Sequence, residues 1–185
     1  MQTAPPDLSE QLQRYRARRF LAFPLAGAIA WAAVGLAGVY LSEFAAVLFL
    51  FIATGSIVYL GLILARFTGE HAAIKGEPKN RFDVLFFLAV GSALLVYAIA
   101  IPFFLIDPTS LPLTVGILTG LMWMPTSWLV GHWIGVFHAV ARTLGIVVLW
   151  YLLPDLRFVA IPFFIVGVYG VTIGVLEHRW KRLAA

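Results

Sequence analysis

The sequence predicts an all-α, polytopic integral membrane protein: six transmembrane helices in one bundle, with both termini in the cytoplasm. The prediction depends on the composition, the spacing of charged residues and the side on which the cations fall. Of the 185 residues, 62% are hydrophobic and 12% are charged, whereas soluble globular chains are about 45–50% apolar and about a quarter charged. So little polar material cannot cover a water-facing globule, which excludes ordinary soluble folds and also disorder.

Long uncharged intervals predict where the chain crosses the membrane. A charge near the bilayer centre costs several kcal/mol, and an apolar helix needs about 20 residues to cross about 30 Å. The interval after Arg19 exceeds the apolar core of a signal peptide, about 7–15 residues, and predicts an uncleaved first helix. The predicted spans are residues 20–41, 44–66, 83–106, 111–124, 127–153 and 158–176, in one domain over 20–176 with basic tails at 1–19 and 177–185.

The fourth and fifth predicted spans share one long interval and must form a hairpin. A single helix over residues 111–153 would be about 64 Å long, far more than one crossing. We expect the turn at residues 124–127, because Pro125 disfavours helical geometry just before it and Ser127 can cap the following helix. A turn near Gly131 would give more equal helices and is the alternative.

Cation placement predicts the orientation. In the six-span topology, 11 of the 13 Lys and Arg lie on the side that carries both termini. They are Arg14, Arg16, Arg18, Arg19, Arg66, Lys75, Lys79, Arg81, Arg179, Lys181 and Arg182. The positive-inside rule therefore places both termini in the cytoplasm and the protein in the plasma membrane, the inner membrane if the source is bacterial.

The residues before the first span carry a helix signal. Asp7 followed by Glu10 resembles a capping box, and Leu8, Leu12 and Tyr15 line one face of the next turns. This pattern is typical of a short interfacial helix held on the inner leaflet by its arginines. A solvated basic tail that only sets the orientation is the alternative.

The fifth span is polar along one stripe. Small and polar residues advance along it by three or four positions, which stacks them on one helix face. They are Ser127, Gly131, Gly135, His138, Arg142 and Gly145. Arg142 falls near mid-membrane, while no Asp or Glu is predicted in the central third of any span. The stripe therefore predicts a cavity in which Arg142 and His138 bind an anionic or zwitterionic group, either a solute carboxylate or a lipid phosphate.

Three further residues complete the candidate binding set: Ser127, Thr143 and His132. A structural role for Arg142 is the competing interpretation. In that case its side chain extends outward to Asp107 or Asp155, or donates to backbone carbonyls and to Thr119 or Thr143.

Catalytic, metal and cofactor sites are not predicted. The chain has no cysteine, and two histidines on one helix fall short of the three ligands of a catalytic zinc. No nucleophile has a base at a recognisable spacing, so we expect that the protein is not an enzyme. The basic residues flank apolar runs rather than forming a nucleic-acid-binding surface, so the expected partners are the lipid bilayer and its components.

The sequence thus favours a small transporter, channel or binding protein for an anionic or zwitterionic solute or lipid headgroup. A second hypothesis is a non-catalytic subunit that packs against another copy or a partner membrane protein through glycine pairs. These pairs are Gly116 with Gly120, Gly131 with Gly135, and Gly170 with Gly174. An intramembrane enzyme acting on lipid is a weaker third.

Overall fold

The computed structural model describes residues 7–70 and 80–184, and the regular elements in these ranges are helical. The helices are α1 (Leu8–Arg16), α2 (Ala22–Tyr40), α3 (Glu43–Phe67), α4 (Arg81–Leu95), α5 (Tyr97–Ile106), α6 (Leu111–Gly120), α7 (Trp123–Val130), α8 (Ile134–Leu152) and α9 (Arg157–Ala184). Short 3₁₀ turns over Pro108–Ser110 and Pro154–Leu156 precede α6 and α9. The predictions for Lys75 and Lys79 lie outside the described residues.

Six segments of the described chain are long and apolar enough to span a membrane. They are Ala22–Tyr40, Glu43–Phe67, Arg81–Ile106, Pro108–Val130, Ile134–Leu152 and Pro154–Leu183. The all-helical class and the six-span count are confirmed at this level. The orientation of the termini stays a prediction.

The hairpin between the fourth and fifth spans turns at Gly131, the alternative position, and not at residues 124–127. Pro125 does disturb the helix: it has no N–H for the Leu121 carbonyl, which instead accepts from Met124 at 3.0 Å. Helix α7 begins at Trp123, so Pro125 lies in its first turn, and it ends at Val130. The next residue, Gly131, has a φ of +67°, the left-handed conformation typical of a helix C-terminus. His132 N donates to Ser127 O across this turn at 3.1 Å.

The last helix is longer than predicted. Residues 158–176 were expected to span and 177–185 to form a basic tail, but α9 continues to Ala184. No glycine or proline follows Leu176 to stop the helix, and Glu177 forms an ion pair with Arg19 that holds the additional turns against the bundle. The carboxyl-terminal cations up to Arg182 are therefore helical residues with fixed positions.

The short amino-terminal helix is part of the bundle. The Asp7 carboxylate accepts from Leu8 N at 2.7 Å and caps α1, while Glu10 pairs with Arg14 instead of closing a capping box. Tyr15 is buried beside Phe82 of α4 and Leu129 of α7. Because this ring packs inside the bundle, the segment is not the solvated tail that was the alternative prediction.

The bundle centre is formed where α2, α6, α8 and α9 meet. Helix α2 packs against α3 and α9, α8 packs against α9 and α6, and α4 packs against α1, α6 and α7. We call the end that carries α1 and the carboxyl-terminal part of α9 the terminal face. Ion pairs between Arg18 and Asp83 and between Arg19 and Glu177 lie there.

Candidate functional site

Arg142 lies in the middle of α8 and is 1% exposed. Its Nη2 donates to Thr119 Oγ1 of α6 at 3.0 Å, and its Nη1 donates to the Tyr169 hydroxyl of α9 at 3.4 Å. The guanidinium carbon lies 5.1 Å from the ring centre of Trp31 on α2. Gly120 makes room for this side chain, because a Cβ at that position would be 2.9 Å from Arg142 Cδ.

No carboxylate of the described residues forms an ion pair with Arg142. Asp107, one of the partners considered from the sequence, accepts from Thr109 and lies 4.0 Å from Arg157 instead. Arg142 does donate a hydrogen bond to Thr119, as expected if the role of Arg142 is structural. The Nε atom is buried without a hydrogen-bond partner in the described structure. The guanidinium is therefore held by two hydroxyls and an aromatic face, with its charge unbalanced locally.

His138 lies one turn before Arg142 and is fully buried. Its Nδ1 is 2.9 Å from Thr172 Oγ1, and that hydroxyl donates its only proton to the Val168 carbonyl at 2.8 Å. Nδ1 must therefore carry the proton and donate to Thr172, which leaves a lone pair on Nε2. The Nε2 atom has no partner in the described structure.

Two aromatic rings cover the imidazole. Trp123 stacks on His138 with ring centres 4.3 Å apart, and the edge of Tyr169 approaches it at 4.7 Å. Gly27 and Gly135 allow this packing: a Cβ on Gly27 would be 2.4 Å from the Tyr169 hydroxyl, and one on Gly135 would be 2.4 Å from the Trp123 carbonyl oxygen. On adjacent turns of α8 the site thus holds a donor nitrogen, Arg142 Nε, and an acceptor nitrogen, His138 Nε2, that have no hydrogen-bond partner among the described residues.

The other three candidate binding residues form no hydrogen bond with Arg142 or His138, although Ser127 lines the neighbouring cavity described below. Ser127 Oγ donates to the His132 carbonyl at 2.5 Å, and His132 Nδ1 accepts from Ile134 N at 3.2 Å. Both residues shape the α7–α8 turn at the terminal face, so the predicted stripe is interrupted at Gly131. Thr143 follows Arg142 but is rotated about 100° from it around the helix, and its hydroxyl has no partner among the described residues.

Four residues of the site were not identified from the sequence: Tyr169, Thr172, Trp31 and Trp123. Both tryptophan rings are buried beside α8. Tyr169 and Thr172 are polar residues three positions apart in the apolar last span, which places them on one helix face. That spacing is the signal that could have indicated them.

A cavity of about 1300 Å³ opens beside this site. It lies between α1, α2, α3, α4, α7, the first turn of α8, and α9, with charged residues at the terminal face and apolar walls inside. The apolar lining includes Phe23, Ile57, Leu62, Phe86, Phe87 and Leu88. Trp123 and Tyr169 form part of its wall. These two rings therefore separate the cavity from Arg142 and His138.

The mouth of the cavity carries both charge signs. Arg18 pairs with Asp83, and Arg19 pairs with Glu177 through two contacts of 2.7 and 2.6 Å. Glu70 accepts from the backbone N–H groups of Leu21 and Ala22 at 3.1 and 2.9 Å. Burial raises the pKa of the Glu70 carboxyl, although these hydrogen bonds and one from Thr68 oppose the shift.

Comparisons with known proteins identify a family for this chain but no activity. No curated protein and no solved structure matches the chain. The model of a family of unknown function, DUF7010, matches residues 9–179, a range that includes Arg142, His138 and the aromatic residues around them. The chain belongs to the DUF7010 family.

Proposed function

We propose that the protein is a membrane-embedded binding protein or carrier for an anionic or zwitterionic amphiphile. Its charged group is received by Arg142 and His138, and its apolar part lies in the cavity. The observation that carries the proposal is the buried Arg142 guanidinium, which within residues 7–70 and 80–184 has no carboxylate partner and an Nε without a hydrogen bond. Burying a cation without a counter-ion costs free energy of desolvation, and a bound anion offsets that cost.

The cavity supplies a route to this cation. Tyr169 and Trp123 contribute both to its wall and to the covering of the site, so rotation of the Tyr169 ring joins the two spaces. The aromatic and aliphatic walls match a hydrocarbon chain, and the mixed charges at the mouth attract a polar headgroup on entry. A wholly polar solute would leave most of this apolar lining unmatched.

The two free atoms define the polar group of the ligand. Arg142 Nε donates from a positively charged group, which favours an anionic oxygen, and His138 Nε2 accepts, so it pairs with an N–H or O–H. A zwitterion with an ammonium group, or a protonated phosphate monoester, carries both. Choline-type headgroups have no such donor and are expected to bind less tightly.

The test is ligand-dependent thermal stabilisation of the purified full chain in detergent. We would compare three single-chain lipids of equal length: lysophosphatidylethanolamine, lysophosphatidylcholine and an uncharged monoacylglycerol. We expect the ethanolamine lipid to stabilise the protein most and the monoacylglycerol least. Arg142→Met should abolish the difference, whereas the control Arg157→Met, an arginine that stacks on Trp150 away from the site, should preserve it. Equal stabilisation by all three lipids, or an unchanged preference in Arg142→Met, would contradict the proposal.

Assembly through α9 is a second candidate, favoured by a separate observation. Gly167, Gly170 and Gly174 are exposed, and a Cβ on any of them would meet nothing within 4 Å. By contrast, Gly116 and Gly135 are already filled by neighbours within the chain. Exposed small residues at this spacing are typical of close helix pairing in membranes.

Cross-linking in membranes would test this candidate. Gly170→Leu should reduce the cross-linked dimer by at least about tenfold if α9 pairs with a second copy, since the leucine blocks close approach of the backbones. Gly91→Leu is the matched control, because Gly91 also faces open space but lies on α4. Equal dimer yields in both variants would exclude α9 as the contact.

A further inference from the structure

A second, smaller crevice of about 220 Å³ lies at the terminal face, between α9 and the α7–α8 turn. Its lining consists of His132, Val175, His178, Arg179, Arg182 and Leu183, with no acidic residue among them. The five residues of α9 advance by three, one, three and one positions, which places them on a single helix face. Glu177 points to a different neighbour, Arg19.

The cations of this crevice are incompletely paired. Arg179 donates through Nη2 to the carbonyls of Arg16 and Val130 at 2.6 and 3.1 Å, which fixes its position. His178 and Arg182 have no hydrogen bond or ion pair within the described residues. Burial, followed by the nearby Arg179 charge, lowers the pKa of His132. Because its Nδ1 accepts from Ile134, the neutral ring presents an Nε2–H donor.

From the terminal end of α9 toward the bundle centre, the surface changes from basic to apolar, the same order as the headgroup and acyl chains of a phospholipid. The bases lie at the terminal end of α9, and Val175 and then the exposed Val171 follow on the same face toward the bundle centre. Trp128 and Trp133, 60% and 59% exposed, lie at or near the adjoining α7–α8 turn, as expected for interfacial tryptophans. A free anion would use the bases alone and leave the apolar continuation unmatched.

We propose that this crevice binds the phosphate of an anionic phospholipid, whose acyl chains extend along Val175 and Val171. Arg182 and Arg179 supply the positive charge, and His132 and His178 supply hydrogen bonds. The site is independent of the Arg142 site, because it lies at the terminal face and shares no lining residue with the groups that contact Arg142 and His138. The cation distribution predicts that it faces the cytoplasmic leaflet, where anionic lipids raise the local concentration of the ligand.

Lipid retention measured by native mass spectrometry tests the proposal on the full chain in detergent. The probes are dioleoylphosphatidylglycerol, dioleoylphosphatidylcholine and inorganic phosphate. We expect selective retention of phosphatidylglycerol and about fivefold weaker binding in Arg182→Gln, the effect of one basic residue near an anionic headgroup. Lys181→Gln is the matched control, because it removes the same charge from the residue just before Arg182, which does not line the crevice. It should change binding by less than about twofold.

Three outcomes would overturn the inference. Equal retention of the two lipids would remove the requirement for a net negative headgroup. Equal losses in Arg182→Gln and Lys181→Gln would show that only the overall charge of the terminal face matters. Retention of inorganic phosphate as strong as that of phosphatidylglycerol would make the ligand a free anion. Because Arg182 is exposed and unpaired within the described chain, its replacement should not impair folding.

Discussion

Replacing Arg142 by methionine separates a ligand site from a structural one. The substitution removes two hydrogen bonds from a charged group, at about 1.5–3 kcal/mol each, and a cation–π contact with Trp31 of about 2 kcal/mol. The bond to Tyr169, at 3.4 Å, belongs at the weak end of that range. The substitution also removes the desolvation cost, several kcal/mol, of burying a cation that has no counter-ion in the part of the chain that the structure describes. Because these contributions oppose each other and are of similar size, we expect a change of less than about 2 kcal/mol in the free energy of unfolding.

Alanine at the same position should behave differently. The walls around Arg142 come from four helices and include the backbone of Gly120, so they cannot collapse into the space left by a truncated side chain. Truncation of a large buried side chain to alanine costs about 2–5 kcal/mol. Arg142→Ala should therefore be less stable than Arg142→Met by about that amount.

The free energies can be measured by titrating the purified protein with SDS in mixed micelles and following the helical circular dichroism. Arg157→Met serves as the control for loss of one arginine. The reasoning is refuted if Arg142→Met loses more than about 3 kcal/mol and as much as Arg142→Ala. That result would mean that the guanidinium's own bonds hold the helices together and that no external anion is required.

Three further predictions follow from the site. Gly27→Ala should lower the free energy of unfolding by about 1–3 kcal/mol through overpacking, because the new Cβ would be 2.4 Å from the Tyr169 hydroxyl. SDS titration measures this loss, and a variant as stable as wild type would contradict the tight contact. Thr172→Val should lower the free energy of unfolding by about 1–3 kcal/mol, because it leaves His138 Nδ1–H without its acceptor. Nitrogen NMR should report a change of the His138 tautomer. An unchanged imidazole spectrum would contradict the placement of the proton on Nδ1. Burial raises the pKa of Glu70 above its ordinary value of 4.5. The stability that results from this shift is therefore fully present below pH 4.5 and is lost as the pH rises through the pKa of Glu70 in the folded protein. The melting temperature of Glu70→Gln should therefore rise relative to wild type between about pH 4 and about pH 8; a constant difference would refute it.

Local chemistry explains which elements were predictable. Hydropathy and charge spacing are properties of one segment at a time, so the bounds of α2 and α3 follow the uncharged intervals closely. The α7–α8 turn shows the limit of this approach. Pro125 and Gly131 are both local signals, and only the left-handed conformation at Gly131 reverses the chain, whereas Pro125 merely interrupts the helix.

Composition and the uncharged intervals were enough to predict six apolar helices long enough to span a membrane, and helical periodicity was enough to place Arg142 and His138 one turn apart on a single helix face. Each of these is a property of one segment at a time. Tertiary structure alone decided what surrounds them. Tyr169, Thr172, Trp31 and Thr119 come from three other helices, and their meeting depends on which helix faces pack together. The free atoms at Arg142 Nε and His138 Nε2, and the cavity behind Tyr169, are consequences of that packing, since hydrogen-bond partners across helices have no fixed separation along the chain.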